Sequence, residues 1–215
     1  HFTVIGLGRF GIAASLELIH LGHTVTGVDS NPKLAEKYVE HLSETVVCDS
    51  TDEAALKELD LASSQAVLVA IGEDMQSSIL CTLALKNLAV KQIWVKASTK
   101  AHHTSISKLG VTRIIHPEEE MGVRVAQALN YPMVNDYLSI GHGLCVVEIH
   151  IKSHLDGQSL GDVLSASKGR VEAVMIKREQ DTFLHLKEDF VLRGNDVLLL
   201  SGTRTSLKSL VSRLA

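Results

Sequence analysis

Several things are missing from this chain of 215 residues, and each gap removes a class of function. Its longest apolar runs, 66–71 and 197–200, fall far short of the ~18 residues a membrane-crossing helix needs. The three cysteines, Cys48, Cys81 and Cys145, sit in apolar segments with neither close pairing nor metal-ligand spacing. A disulfide scaffold and a zinc ribbon are therefore not expected, and buried thiols in a reducing cytosol are. No block of like charge occurs, and 21 basic against 25 acidic side chains leave a net charge of −4, which speaks against a nucleic-acid partner held by phosphate neutralisation. There is no Walker loop, HExxH or GxSxG, and neither Tyr38 nor Tyr131 is followed four residues later by the lysine of a short-chain dehydrogenase. A hydride-transfer site thus has no evident acid or base. His102 and His103 lack an acidic or thiol partner at metal spacing and read as surface histidines at a helix start.

The remainder is ample for folding, since hydrophobic residues make up 45% and charged ones 21%, which gives no compositional case for disorder. From residue 2 to about 130 the sequence alternates short β-branched runs, turns and amphipathic stretches, the pattern of βαβ units. Strands are expected at 2–5, 24–28, 45–48, 66–71, 92–96 and 112–116, and helices at 11–21, 33–41, 75–88, 102–109 and 118–129. Continuous Val/Ile runs, rather than alternation, imply strands buried on both faces of a parallel sheet. In the helix at 75–88, Met75, Ile79 and Leu83 share a face with Leu80 and Leu88 that is expected to pack on that sheet. The fold class is therefore α/β: a doubly wound six-stranded parallel sheet of the Rossmann type, with ligand at the carboxyl ends of the strands. Asn130-Tyr131-Pro132 punctuates the chain, which places a boundary near 136 and divides it into domains 1–136 and 137–215. In the second domain, strands at 144–151, 171–177, 183–186 and 197–201, short helices at 160–164 and 207–214, and turns at Asp156-Gly157, Gly169 and Gly194-Asn195 describe a small α+β module.

The strand at 2–5 runs directly into Gly6-Leu7-Gly8-Arg9-Phe10-Gly11 and then a helix. Gly6 permits the tight turn, Gly8 lets backbone approach a pyrophosphate, and Gly11 lets helix and strand pack closely. The helix N-terminus adds amide donors and a positive dipole. Asp29 closes the second strand, where a carboxylate can accept both ribose hydroxyls and repel a 2′-phosphate, so NADP is not expected. Arg9 answers either extra phosphate charge, in a triphosphate or from a neighbouring subunit, or nothing but solvent. Asp49, with Ser50 at the third strand end, either meets an adenine edge or caps the helix beginning near Asp52. Ile71-Gly72 ends the fourth strand, where Gly72 passes close to a ligand or merely turns. Lys96 ends the fifth strand, directed at the crevice or simply exposed. Glu118 either binds a cation near the phosphates or another subunit's ligand, or answers its helix dipole.

Taken together, the run 4–11, Val28-Asp29-Ser30-Asn31, Ala70-Ile71-Gly72, Trp94-Val95-Lys96-Ala97 and Ile114-Ile115-His116-Pro117-Glu118-x-x-Met121-Gly122 closely resemble the KtrA/TrkA family. These are cytosolic RCK (KTN) subunits of bacterial potassium uptake systems. The resemblance extends over nearly the whole chain, specific in the first half and loose in the second, where the module from 137 is similar to the family's C-terminal RCK domain. It implies a non-enzymatic regulatory protein that binds ATP or ADP, and also NAD(H). It further implies homodimers assembling into an octameric ring on the inner face of the cell membrane, where the ring gates a KtrB/TrkH-like potassium-translocating subunit. By residue match, Gly6, Gly8, Arg9, Phe10, Gly11, Asp29, Asn31, Asp49, Ser50, Ile71, Gly72 and Lys96 become nucleotide contacts. Arg9 then meets the γ-phosphate, and Glu118 binds a cation (Mg, Na or Ca) beside the phosphates. In some relatives the C-terminal domain binds cyclic di-AMP, but 167–175 carries no matching pocket motif. The alternative to a gating subunit is an NAD-dependent oxidoreductase or a dinucleotide redox sensor.

Overall fold

The computed structural model describes residues 1–130, 134–165, 167 and 170–214. The chain forms two compact units, His1–Glu119 and Glu120–Ala215. The break falls inside a helix, α6, upstream of the punctuation expected to mark it; Tyr131, Pro132 and the turn at Gly169 lie outside the described residues.

In the first unit the order is β1 (Phe2–Ile5), α1 (Arg9–His20), β2 (Val25–Asp29), α2 (Pro32–Tyr38), β3 (Glu44–Val47), α3 (Glu53–Lys57), β4 (Ala66–Val69), α4 (Met75–Asn87), β5 (Ile93–Lys96), α5 (Lys100–Lys108) and β6 (Arg113–Ile115), followed by the start of α6 (Pro117–Asn130). The strands form one parallel sheet in the order β3-β2-β1-β4-β5-β6, as the βαβ pattern predicts. The winding reverses between β1 and β4, so the loops leaving these two strands diverge and leave a crevice at their carboxyl ends. The main core joins Ile5, Val28, Val67, Val69 and Val95 of the central strands to Leu56, Leu85 and Ile106 of the helices. β4 ends at Val69, two residues early, and frees Ala70 to Gly72 to line the crevice; α1 begins at Arg9, so Gly11 lies within the helix.

The expected sheet-facing side of α4 is corrected. Its buried residues are Ser78, Cys81, Thr82, Ala84 and Leu85, while Met75, Leu80 and Leu83 are 43%, 41% and 43% exposed. Ile79 and Leu88 do pack against the core, but only in part. Apart from Leu85, the sheet-facing residues are small, and Met75, Leu80 and Leu83 stand on the outer face.

The second unit contains β7 (Val134–Gly141), β8 (Leu144–His150), α7 (Leu160–Ser165), β9 (Val171–Arg178), β10 (Asp181–Leu184), β11 (Val197–Thr203) and α8 (Arg204–Leu214). Its antiparallel sheet has the order β10-β9-β11-β8-β7. Here burial alternates, with Cys145, Val147 and Ile149 of β8 inward, as one-sided sheets require. These residues join Ile176, Leu192, Leu198, Leu200 and Leu210 in a separate core. Asp196, 1% exposed, is held by Arg178, whose Nε and Nη2 donate to its two oxygens at 2.8 and 2.7 Å. The Arg193 N–H donates a third bond at 2.9 Å. Burial alone would raise the Asp196 pKa, but these bonds overcome it and hold the carboxyl below its ordinary value.

Candidate functional site

The glycine loop is built by exclusion. Gly6 turns at φ +98°, a conformation that side chains rarely adopt, and its neighbours are the backbone of Ala70 and Ile71. A Cβ on Gly11 would stand 1.8 Å from the Gly6 carbonyl oxygen, so only glycine lets α1 approach β1 this closely. Gly8 differs: a Cβ there would meet no protein atom within 4 Å. It is the N-cap of α1, with no side-chain hydrogen bond to the cap. The first-turn amides therefore lack a side-chain acceptor, the arrangement that favours an anion.

Asp29 reaches this loop from β2. Its Oδ2 accepts the Leu7 N–H at 2.7 Å and its Oδ1 accepts the Asn31 N–H at 2.8 Å. One lone pair on each oxygen is thereby used and another remains, which is what two ribose hydroxyls need. The Asn31 side chain caps α2 by accepting from Lys33 N–H at 3.0 Å. Asp49 does not cap α3; Asp52 does, accepting from Ala54 and Ala55. Asp49 instead accepts from the N–H and hydroxyl of Thr51, which hold its carboxyl below the ordinary range. Ser50 is buried, and its hydroxyl bonds the thiol of Cys81, a group that burial pushes up to about 12.

On the other side of the crevice, Lys96 Nζ lies 2.6 Å from Glu118 Oε1 and 5.7 Å from the centroid of the Phe10 ring. Its amine also covers Gly72, where an added Cβ would come within 2.9 Å of Nζ. Residues at or just beyond the carboxyl ends of four strands thus converge: Phe10 after β1, Gly72 after β4, Lys96 at the end of β5 and Glu118 after β6. The hydrogen bond from Lys96 lowers the Glu118 pKa against the opposing effect of desolvation, and the positive charge of the exposed Arg9 contributes in the same sense. Arg9 is therefore near enough to be felt at Glu118.

Two features were not foreseen. Leu7 serves the site through its backbone, invisible to a reading of side chains. His102 is corrected: it is fully buried, its Nδ1 accepting from Ser98 N–H at 3.4 Å and its Nε2 3.1 Å from the Ser78 hydroxyl. Burial, with the charge of His116, lowers its pKa. His103 is exposed, as expected, and meets His116 across thirteen residues of sequence.

The parallel strand order and the glycine loop between β1 and α1 define a Rossmann-type unit. The TrkA-N domain matches residues 2–117. The chain is 36% identical over 207 residues to Ktr system potassium uptake protein A of Bacillus subtilis (strain 168), covering 96% of this chain and 93% of that one. It is 37% identical over 213 residues to Ktr system potassium uptake protein C of the same organism, covering 99% and 96%. The chain belongs to the KtrA/TrkA family. Among solved structures, it superposes on the GsuK RCK domain (TM-score 0.65, 15% identity) and on the GsuK channel bound to NAD (TM-score 0.61, 16% identity). Each match takes in all of this chain but only 47% and 39% of those, so it spans less than half their length.

Proposed function

We propose that this protein is a non-enzymatic regulatory subunit that binds an adenine nucleotide at the β1–α1 loop and passes the bound state to a membrane potassium-translocating partner. The observation that carries this reading is the Asp29 carboxylate, tied to the loop through the Leu7 N–H and leaving acceptor capacity for a ribose beside an open helix N-terminus. The potassium-uptake relatives, matched over nearly their full length, support the transport role. Arg9, and Lys96 once Glu118 leaves it, supply positive charge for a ligand with more phosphate than the loop amides alone would serve, which favours ATP or ADP over NAD(H). Glu118 in this reading takes a Mg, Na or Ca ion beside the phosphates when it leaves Lys96. Gly6, Gly8, Phe10, Gly11, Ile71 and Gly72 shape the cleft, and Asn31, Asp49 and Ser50 border its adenosine end.

No described helix is long and apolar enough to cross a membrane. The subunit would act at the inner face of the membrane through its partner, and the exposed Met75, Leu80 and Leu83 support self-association into the dimers and octameric ring of this reading. The nucleotide would then bias a ring equilibrium by its differential affinity for two shapes. Calorimetric titration with ATP, ADP and NADH, beside Arg9→Ala and with light scattering on each sample, tests it. The expected result is a preference for ATP, weakened by Arg9→Ala, with a nucleotide-dependent change in a large assembly. Preference for NADH, indifferent to Arg9, would overturn it in favour of a redox sensor or an oxidoreductase.

A further inference from the structure

Beside the nucleotide crevice, a cavity of about 490 Å³ is lined by Lys100, His103, His116, Glu118 and Glu119, among others. In it, His103 Nδ1 and His116 Nε2 face each other at 2.9 Å, with the rings 24° from parallel. His103 is carried by α5, and His116 sits between β6 and the first residue of α6, so separate elements present the two nitrogens. Two ligands at about 2.0–2.1 Å from one ion stand about 2.9 Å apart at a right angle and about 3.4 Å apart at a tetrahedral one. In the structure the two nitrogens share a hydrogen bond, and their spacing also matches that of neighbouring ligands in tetragonal or octahedral coordination.

We propose that His103 and His116 form a two-imidazole site for a late first-row divalent ion of the nickel and copper class. Imidazole nitrogen suits these ions, whereas magnesium and calcium take oxygen ligands. The site is therefore chemically distinct from a hard-cation role for Glu118. No cluster of three or more His, Cys, Asp or Glu able to hold a metal stands ready among the described residues, so water completes the coordination. Glu119 balances Lys100 and Glu118 is paired with Lys96, so the formal charge of the cavity does not oppose a cation. Binding requires the tautomers in which both facing nitrogens are unprotonated, and an ion there would tie α5 to the turn that starts α6. The inference does not depend on nucleotide binding.

The test uses tag-free, nucleotide-free protein in excess magnesium. Ni²⁺ is titrated by calorimetry and Cu²⁺ is read by electron paramagnetic resonance. One ion per chain is expected, with affinity at least tenfold lower in His103→Ala and in His116→Gln, and with copper hyperfine structure from two imidazole nitrogens falling to one. Circular dichroism checks folding, and the exposed position of His103 keeps its variant informative should His116→Gln not fold. Equal affinity in parent and His103→Ala, or no ion bound by the parent, would overturn the proposal and leave the pair as an ordinary hydrogen bond.

Discussion

The Leu7 N–H donates to Asp29 Oδ2 at 2.7 Å, so the phosphate loop and the strand-end carboxylate are one hydrogen-bonded unit. Asp29→Asn keeps the shape and removes the charge. Because a hydrogen bond to a charged acceptor contributes about 1.5–3 kcal/mol, nucleotide affinity should fall roughly 10- to 100-fold in calorimetry. Unchanged affinity would show that the ribose does not use this carboxylate.

Two glycines of the loop should separate stability from binding. Gly11→Ala drives a methyl into the Gly6 carbonyl, and backbone on both sides cannot yield. A loss of about 3 kcal/mol or more in denaturant unfolding is expected. Gly8→Ala meets open space at φ −65° and, as an N-cap change, should cost about 1 kcal/mol or less. Its methyl would instead occupy the approach of a phosphate, so nucleotide binding should be lost from a folded protein.

His102 gives an acid-side stability change. Its folded-state pKa lies below the unfolded value of about 6.5, so protons bind the unfolded chain more readily. The stability from the neutral ring is complete above about pH 6.5 and lost as pH falls below it. Melting temperatures measured from pH 7.5 to 5 should drop in the parent and drop less steeply in His102→Gln. Parallel curves would show that His102 is not the group responsible.

In the second unit, Asp196→Asn leaves Arg178 without its buried carboxylate and should cost about 3–5 kcal/mol. Arg178 also lies over the rings of Phe183 and Phe190, at 5.5 and 5.3 Å to their centroids, so Arg178→Met should damage packing as well as charge. The depressed Asp196 pKa places its contribution above about pH 4, lost as pH falls through the folded value. Urea unfolding of Asp196→Asn at pH 7 and pH 3.5 checks this: the difference from the parent should shrink in acid.

Much of the first unit was legible because fully buried parallel strands write themselves as continuous Val and Ile, and because a glycine loop between strand and helix has few other uses. The outer face of α4 was not legible: periodicity reports that a helix has an apolar side, not which side faces a sheet. β7 was missed because Asn135, Asp136 and Ser139 interrupt its apolar pattern, and its partner β8 is supplied through the turn at Gly141-His142-Gly143. The buried state of His102 depends on Ser78 and Ser98, and the His103–His116 pair on α5 reaching the end of β6. Such contacts arise only when separate elements pack.

Gly72 shows how an absence can set a field. Lys96 reaches Glu118 across the space where a side chain at 72 would stand. One added methyl would push the ammonium from that position and change how it meets the carboxylate. The local electrostatic potential therefore depends on a carbon atom the protein does without.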